Sequence, residues 1–173
     1  MREQEPPDRR AEPASDQPQM PKGYGLPEEV RDGATIAWTQ VCEWLGNARN
    51  YWVATTRPDG RPHVMPVWGL WLDGTFHFST DPDSRKGRNL AANPEGVVHL
   101  ESGDTAVILE GTIHRVSDPA VLAPVLDAYG AKYGIRPDLT NPQYGFYSLR
   151  PRSVFTWLER DFTGSATRFR FDS

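Results

Sequence analysis

A single cysteine, Cys42, stands among the 173 residues. No disulfide can therefore form within the chain, and metal or iron–sulfur sites built from several thiolates are excluded on ligand count. No run approaches the roughly 20 apolar residues that cross a bilayer. The opening Met1-Arg2-Glu3-Gln4-Glu5-Pro6-Pro7 lacks the apolar stretch of a secretory signal. A cytoplasmic protein with no membrane partner is expected. Charge of one sign is also missing: 19 Lys and Arg against 23 Asp and Glu leave a net charge of −4, which offers no chain-wide attraction for nucleic acid, so any basic site must be local. No glycine-rich Walker pattern precedes Lys86, which argues against a P-loop. No glycine-flanked elbow surrounds Ser79 or Ser84, which argues against a serine hydrolase. His63, His77, His99 and His114 lack close metal-ligand spacing, and no metal is expected.

What is present reads as one domain preceded by an arm. Residues 1–23 are rich in Pro, Glu, Asp, Arg and Gln with almost nothing to bury, so ordering them costs backbone entropy without compensation, and a disordered tail is expected. The remaining 24–173 form the folded domain. It opens near Asp32-Gly33-Ala34-Thr35 with a helix in which Ile36, Ala37, Val41, Trp44 and Leu45 recur at helical spacing and which Gly46 and Asn47 stop. Two β-rich runs, 51–56 and 63–72, flank the turn Arg57-Pro58-Asp59-Gly60 as a hairpin, and Asp73-Gly74 turns the chain into a third strand, 75–79. Pro66 lacks an N–H and marks an edge, bulge or bend in the second strand. A short helix follows from Ser84 to Ala92, capped by Asp83 or Ser84. Strands at 97–101 and 105–116 come next, then a helix entered through Ser117-Asp118-Pro119 with an apolar stripe of Val121, Leu122, Val125, Leu126 and Tyr129. The end returns to strands at 144–149, 153–157 and 166–171. Short helices between so many strands leave no room for parallel crossovers, and the fold expected is mainly β, an antiparallel barrel closed or nearly so.

Chemistry concentrates in Phe78-Ser79-Thr80-Asp81-Pro82-Asp83-Ser84-Arg85-Lys86-Gly87-Arg88-Asn89-Leu90. Hydroxyls at a strand end, three cations and a helix N-terminus meet in one stretch, and free N–H groups with Arg and Lys in the first turn suit an anion such as phosphate. Cations there oppose the helix dipole unless an anion arrives; the same residues would also serve as a solvated basic face. Aromatic crowding over Met65-Pro66-Val67-Trp68-Gly69-Leu70-Trp71 offers flat apolar walls for a planar ligand, or simply core packing. Cys42 reads as a small buried hydrophobe.

The order of these segments resembles the pyridoxamine 5′-phosphate oxidase-like split β-barrel family, and within it the actinobacterial branch of deazaflavin-dependent oxidoreductases. The landmarks are Asp59-Gly60-Arg61-Pro62-His63-Val64-Met65-Pro66-Val67-Trp68, Phe76-His77-Phe78-Ser79-Thr80, Ser84-Arg85-Lys86-Gly87-Arg88-Asn89-Leu90 with Asn93-Pro94, Val107-Ile108-Leu109-Glu110-Gly111-Thr112, and the ending Ala166-Thr167-Arg168-Phe169-Arg170-Phe171. The resemblance implies a homodimer of antiparallel split barrels with two cofactors at the interface. Arg85 and Lys86 would hold the cofactor phosphate, helped by Ser79, Thr80 and Asn89, while backbone groups of Met65, Pro66, Val67 and Trp68 line the ring. The cofactor implied is the deazaflavin coenzyme F420 or FMN. The reaction implied is hydride transfer to or from a small organic substrate, with no side-chain acid or base nominated. Arg57, Arg61 and Arg88 would receive the acidic tail of the deazaflavin. The substrate-binding ending of true pyridoxamine phosphate oxidases, with its terminal proline, is missing. An FMN oxidoreductase, a non-catalytic flavin carrier or sensor, and a haem-binding protein are the alternatives.

Overall fold

The computed structural model describes residues 12–18, 36–138 and 140–171. Its elements run β1 (Ala14–Asp16), α1 (Trp38–Asn47), β2 (Asn50–Thr56), β3 (Pro62–Leu72), β4 (Thr75–Thr80), α2 (Arg85–Ala92), β5 (Glu95–His99), β6 (Thr105–Val116), α3 (Pro119–Tyr133), β7 (Gly145–Leu158), α4 (Phe162–Ser165) and β8 (Thr167–Arg170). The strands are ordered β1-β8-β7-β4-β3-β2-β5-β6, and a further pairing of β6 with β7 closes six of them into an antiparallel barrel. This is the split-barrel fold. The barrel interior holds Tyr51, Val53, Phe76, Phe78, Val98, Val107, Leu109, Ile113, Leu149 and Val154, with Val41 and Leu45 of α1 plugging one end. A second cluster joins Leu122, Val125, Leu126 and Tyr129 of α3 to Leu70 and Phe146 on the outside of the barrel. Val121, counted in the apolar stripe of α3 from spacing, is instead 42% exposed.

Two strands expected at 144–149 and 153–157 are one continuous strand. Pro151 does not break it because the ladder with β6 slips by one residue between Glu110 and Gly111, which lets the proline sit at the irregularity. Gly111 is required there: a Cβ would stand 2.4 Å from the Arg150 carbonyl oxygen. β7 consequently pairs with β4, β6 and β8. The start expected for the first helix, near residue 32, lies outside the described residues.

Within the segment expected to be disordered, Ala14–Asp16 pairs antiparallel with β8 in the register Ala14↔Arg170, Ser15↔Phe169, Asp16↔Arg168. The remainder of that tail, apart from 12–18, lies outside the described residues. Composition missed the strand because its hold is electrostatic and main-chain rather than apolar: the Asp16 carboxylate accepts from Arg168 at 2.6 and 2.8 Å and also from Arg170. The Arg168 hydrogen bond, with a smaller share from Arg170, pulls the Asp16 carboxyl down to about 2. A depressed acid contributes its docking free energy above its ordinary value near 3.8 and loses it as pH falls through about 2. Asp16→Asn is expected to speed amide exchange in β8 while changing global stability by less than about 1 kcal/mol, because the pair is solvent-screened. Hydrogen exchange and thermal melts of the variant check both.

Candidate functional site

The helix α2 begins because Ser84 turns extended at its N-cap and accepts the Gly87 N–H at 3.1 Å. Thr80 at the end of β4 meets the Ser84 hydroxyl at 3.2 Å, tying strand end to helix start. Gly87 lets α2 lie against the Asp81-Pro82 turn, since a Cβ would stand 2.2 Å from the Pro82 carbonyl oxygen. This close seat carries Lys86 and Asn89 inward, to 8% and 0% exposure. Asn89 donates from Nδ2 to Thr55 Oγ1 of β2 at 3.0 Å, leaving its Oδ1 buried with no partner among the described residues. Lys86 places its ammonium 6.0 Å from the centre of the Phe78 ring. No carboxylate lies within ion-pair distance of it among the described residues. Burial therefore lowers the Lys86 amine below its ordinary value.

The hairpin of β2 and β3 brings two further groups to the same place. Thr55 stands opposite His63, so both side chains leave the sheet on one face, and Arg57, two residues beyond Thr55, shares it. His63 Nδ1 and Arg57 Nε are buried and have no hydrogen-bond partner among the described residues. Burial, then the charges of Arg57, Lys86 and Arg85, hold the His63 imidazole below its ordinary value. Arg57, His63, Arg85 and Lys86 thus face one another from three elements. The nearby Asp59 carboxylate is held by Arg61 at 2.6 Å. Arg88 donates to the Asp83 carbonyl.

The same alternation divides the other candidates. Met65 pairs with Val53 and Val67 with Tyr51, which puts both on the α2 side; Pro66 and Trp68 face the opposite way. Trp68 stacks on Tyr133 of α3, with centroids 4.7 Å apart and planes within 5°, and the Arg49 guanidinium lies 5.5 Å from the Trp68 centroid. Ser79 likewise points away from the face of Thr80. Among the described residues the segment Pro62–Trp68 pairs only with β2, because β4 pairs the other side of β3 from Gly69 onward. Val64 and Met65 are each 48% exposed there. At the crossover, the Lys132 ammonium donates to Tyr51 Oη at 2.9 Å and to the carbonyls of Gly69 at 3.0 Å and Gly46 at 3.3 Å. Burial pushes this amine down to about 8, and three acceptors favour its charged form. Sequence reasoning missed His63 and Thr55 as members of the site and missed Lys132 as the pin of α3. A hollow of about 730 Å³ bordered by Ile36, Trp44, Asp104, Leu158 and Arg160 touches none of these residues.

A cluster of cations at a helix N-terminus, with buried donors that have no partner among the described residues, can accept an anion such as phosphate, and the exposed apolar residues of β3 lie beside it. The chain belongs to the pyridoxamine 5′-phosphate oxidase family, whose pattern matches residues 38–158. It is 28% identical over 141 residues to the pyridoxine/pyridoxamine 5′-phosphate oxidase of Salinibacter ruber, an alignment covering 62% of this chain and 66% of that one. Across the curated oxidases it matches, it spans between 32% and 66% of their length. Among solved structures, a conserved hypothetical protein of Mycobacterium tuberculosis superposes with a TM-score of 0.64 at 24% identity, covering 78% of this chain and 91% of that one. An F420 reductase superposes at 0.51 with 26% identity, covering 65% and 94%.

Proposed function

We propose that the protein is an oxidoreductase that binds a phosphate-bearing flavin-type ring and transfers a hydride between the deazaflavin coenzyme F420 and a small organic substrate. The observation that carries the reading is Lys86: a buried ammonium at the start of α2, beside Arg85, with no acidic partner among the described residues. Such a charge is costly until an anion enters. Arg85, Lys86 and the α2 N–H groups would hold the phosphate, with Thr80 and Asn89 supporting that end through Ser84 and Thr55. The main chain of Met65 to Trp68 would lie along the ring. When bound, the ring supplies the hydride chemistry; the chain binds it, orients it and keeps water from it.

The preference for F420 rests on the near-complete coverage of the F420 reductase, against partial coverage of the longer oxidases, and on Arg57, whose buried Nε has no hydrogen-bond partner among the described residues and which adds a further cation for an acidic tail. FMN is the second reading, favoured by the family match itself. Parallel titration of apo-protein with FMN and F420, followed by fluorescence, separates them. Binding of neither overturns the proposal, and a Soret band on haem addition instead would point to the haem-binding alternative.

The exposed Val64, Met65 and Trp68 on the half of β3 that only β2 pairs are apolar enough to be an interface between two copies. A homodimer is expected, with a dimer mass in light scattering at micromolar concentration. A monomer mass would remove the subunit interface from the cofactor site.

A further inference from the structure

Among the groups converging on α2, His63 is the imidazole, and the charges that act on it are all of one sign. From the turn after β2 it faces Arg57, from α2 Arg85 and Lys86, while the neighbouring Arg61 and Asp59 of the same turn are bound to each other. Its Nδ1 is buried and makes no hydrogen bond to the described residues, and so does Arg57 Nε beside it. An imidazolium at this place has three cations near it and, at Nδ1, no acceptor among the described residues, whereas a bound phosphate anion would supply both an acceptor and the opposite charge. We infer that His63 is a proton-coupled ligand of the cofactor phosphate, neutral while the site is empty and protonated when a phosphate group is seated. This rests on the cofactor reading above and adds to the site a sensitivity to pH.

The sign follows from linkage. The empty site holds the His63 imidazole below its ordinary value through burial and then through Arg57, Lys86 and Arg85; a bound phosphate anion raises it. Between those two values the complex carries one more proton than the free protein, so affinity falls as pH rises, by at most about tenfold per pH unit for one proton. Above the raised value the dependence ends.

The test uses FMN as probe, from about pH 6.5 to 8.5, where its monoester phosphate is mostly doubly charged because the second ionisation lies near 6. The full-length protein should bind more weakly as pH rises, and calorimetry in two buffers of different ionisation enthalpy should register uptake of a proton. In His63→Gln the slope and the uptake should vanish while binding persists. Riboflavin, which lacks the phosphate, should show no uptake. Should F420 bind and FMN not, the same measurements apply to F420. Phosphate-dependent binding by wild type with no proton uptake overturns the inference and leaves the cofactor reading standing, without reliance on the variant. An unchanged slope in a folded His63→Gln overturns it as well. Absence of binding by either cofactor at every pH overturns the cofactor reading and this inference together.

Discussion

Lys86→Ala is expected to weaken cofactor binding by about ten- to a hundredfold, since a charge-assisted hydrogen bond to an ionised group contributes on the order of 1.5 to 3 kcal/mol. The structure adds a second expectation. The ammonium is buried over the Phe78 ring with no counter-ion among the described residues, so the empty protein bears a desolvation cost that alanine removes. The variant should therefore melt no lower than wild type, or slightly higher, in the absence of cofactor and clearly lower in its presence. An Arg85→Ala variant, altering an exposed side chain at the first position of α2, should show a smaller loss of affinity. Fluorescence titration at two salt concentrations and thermal melts with and without cofactor check these outcomes. Equal dissociation constants in wild type and both variants would dissolve the phosphate assignment, and a defect with F420 alone would point to its acidic tail.

The second large effect is on acid stability and belongs to His77. This side chain is 7% exposed on the outer face of β4, with its Nδ1 2.7 Å from the Ser148 hydroxyl of β7. Burial pulls the imidazole down to about 4, against a minor opposing influence of Asp73. The unfolded chain binds this proton near pH 6.5 and the folded one only near 4. Stability from the neutral ring is thus fully present above about 6.5 and is lost progressively as pH falls to about 4, an effect on the order of 3 kcal/mol. His77→Gln should flatten the stability profile across that interval, read from denaturant midpoints at successive pH values. The separate window of Asp16, near 2 to 4, should remain. A wild-type profile that is level between pH 4 and 6.5 would show that the ring is not held neutral.

The barrel was legible where sequence punctuation is local. The turn at Arg57 to Gly60 and the Asp73-Gly74 pair, with Gly60 and Gly74 at φ of 83° and 72°, define β2, β3 and β4 almost to the residue. The N-cap at Ser84 and the proline entry to α3 are equally local signals. The merging of two strands into β7 was not, because Pro151 looks like a breaker until its slipped partner is known. β1 was invisible for a related reason: three residues, Ala14-Ser15-Asp16, carry no apolar pattern, and only the arginines over 150 positions away give them a place. Within the site, Arg85 and Lys86 were readable from their position after a cap. His63 could have been found by counting outward from the hairpin turn, which sets it opposite Thr55. The signal lies in strand register and not in metal-ligand spacing. Trp68 and Met65 look alike in a list of apolar residues, yet period-two alternation sends them to opposite faces.

The central place of β7 has a consequence for how the chain is made. It is the staple that joins the β6 edge to the β4 edge and then seats β8, yet it lies at Gly145–Leu158, after every other barrel strand. Pairings such as Phe76↔Leu149 bridge long stretches of sequence, whose loop-closure entropy must be met before the contact returns anything. During synthesis, at roughly 5 to 20 residues per second, β2 to β6 must wait several seconds as an open sheet with both edges unpaired. Apolar residues destined for the interior, Phe76 and Phe78 among them, stay within reach of water and of other nascent chains until residue 158 has left the ribosome.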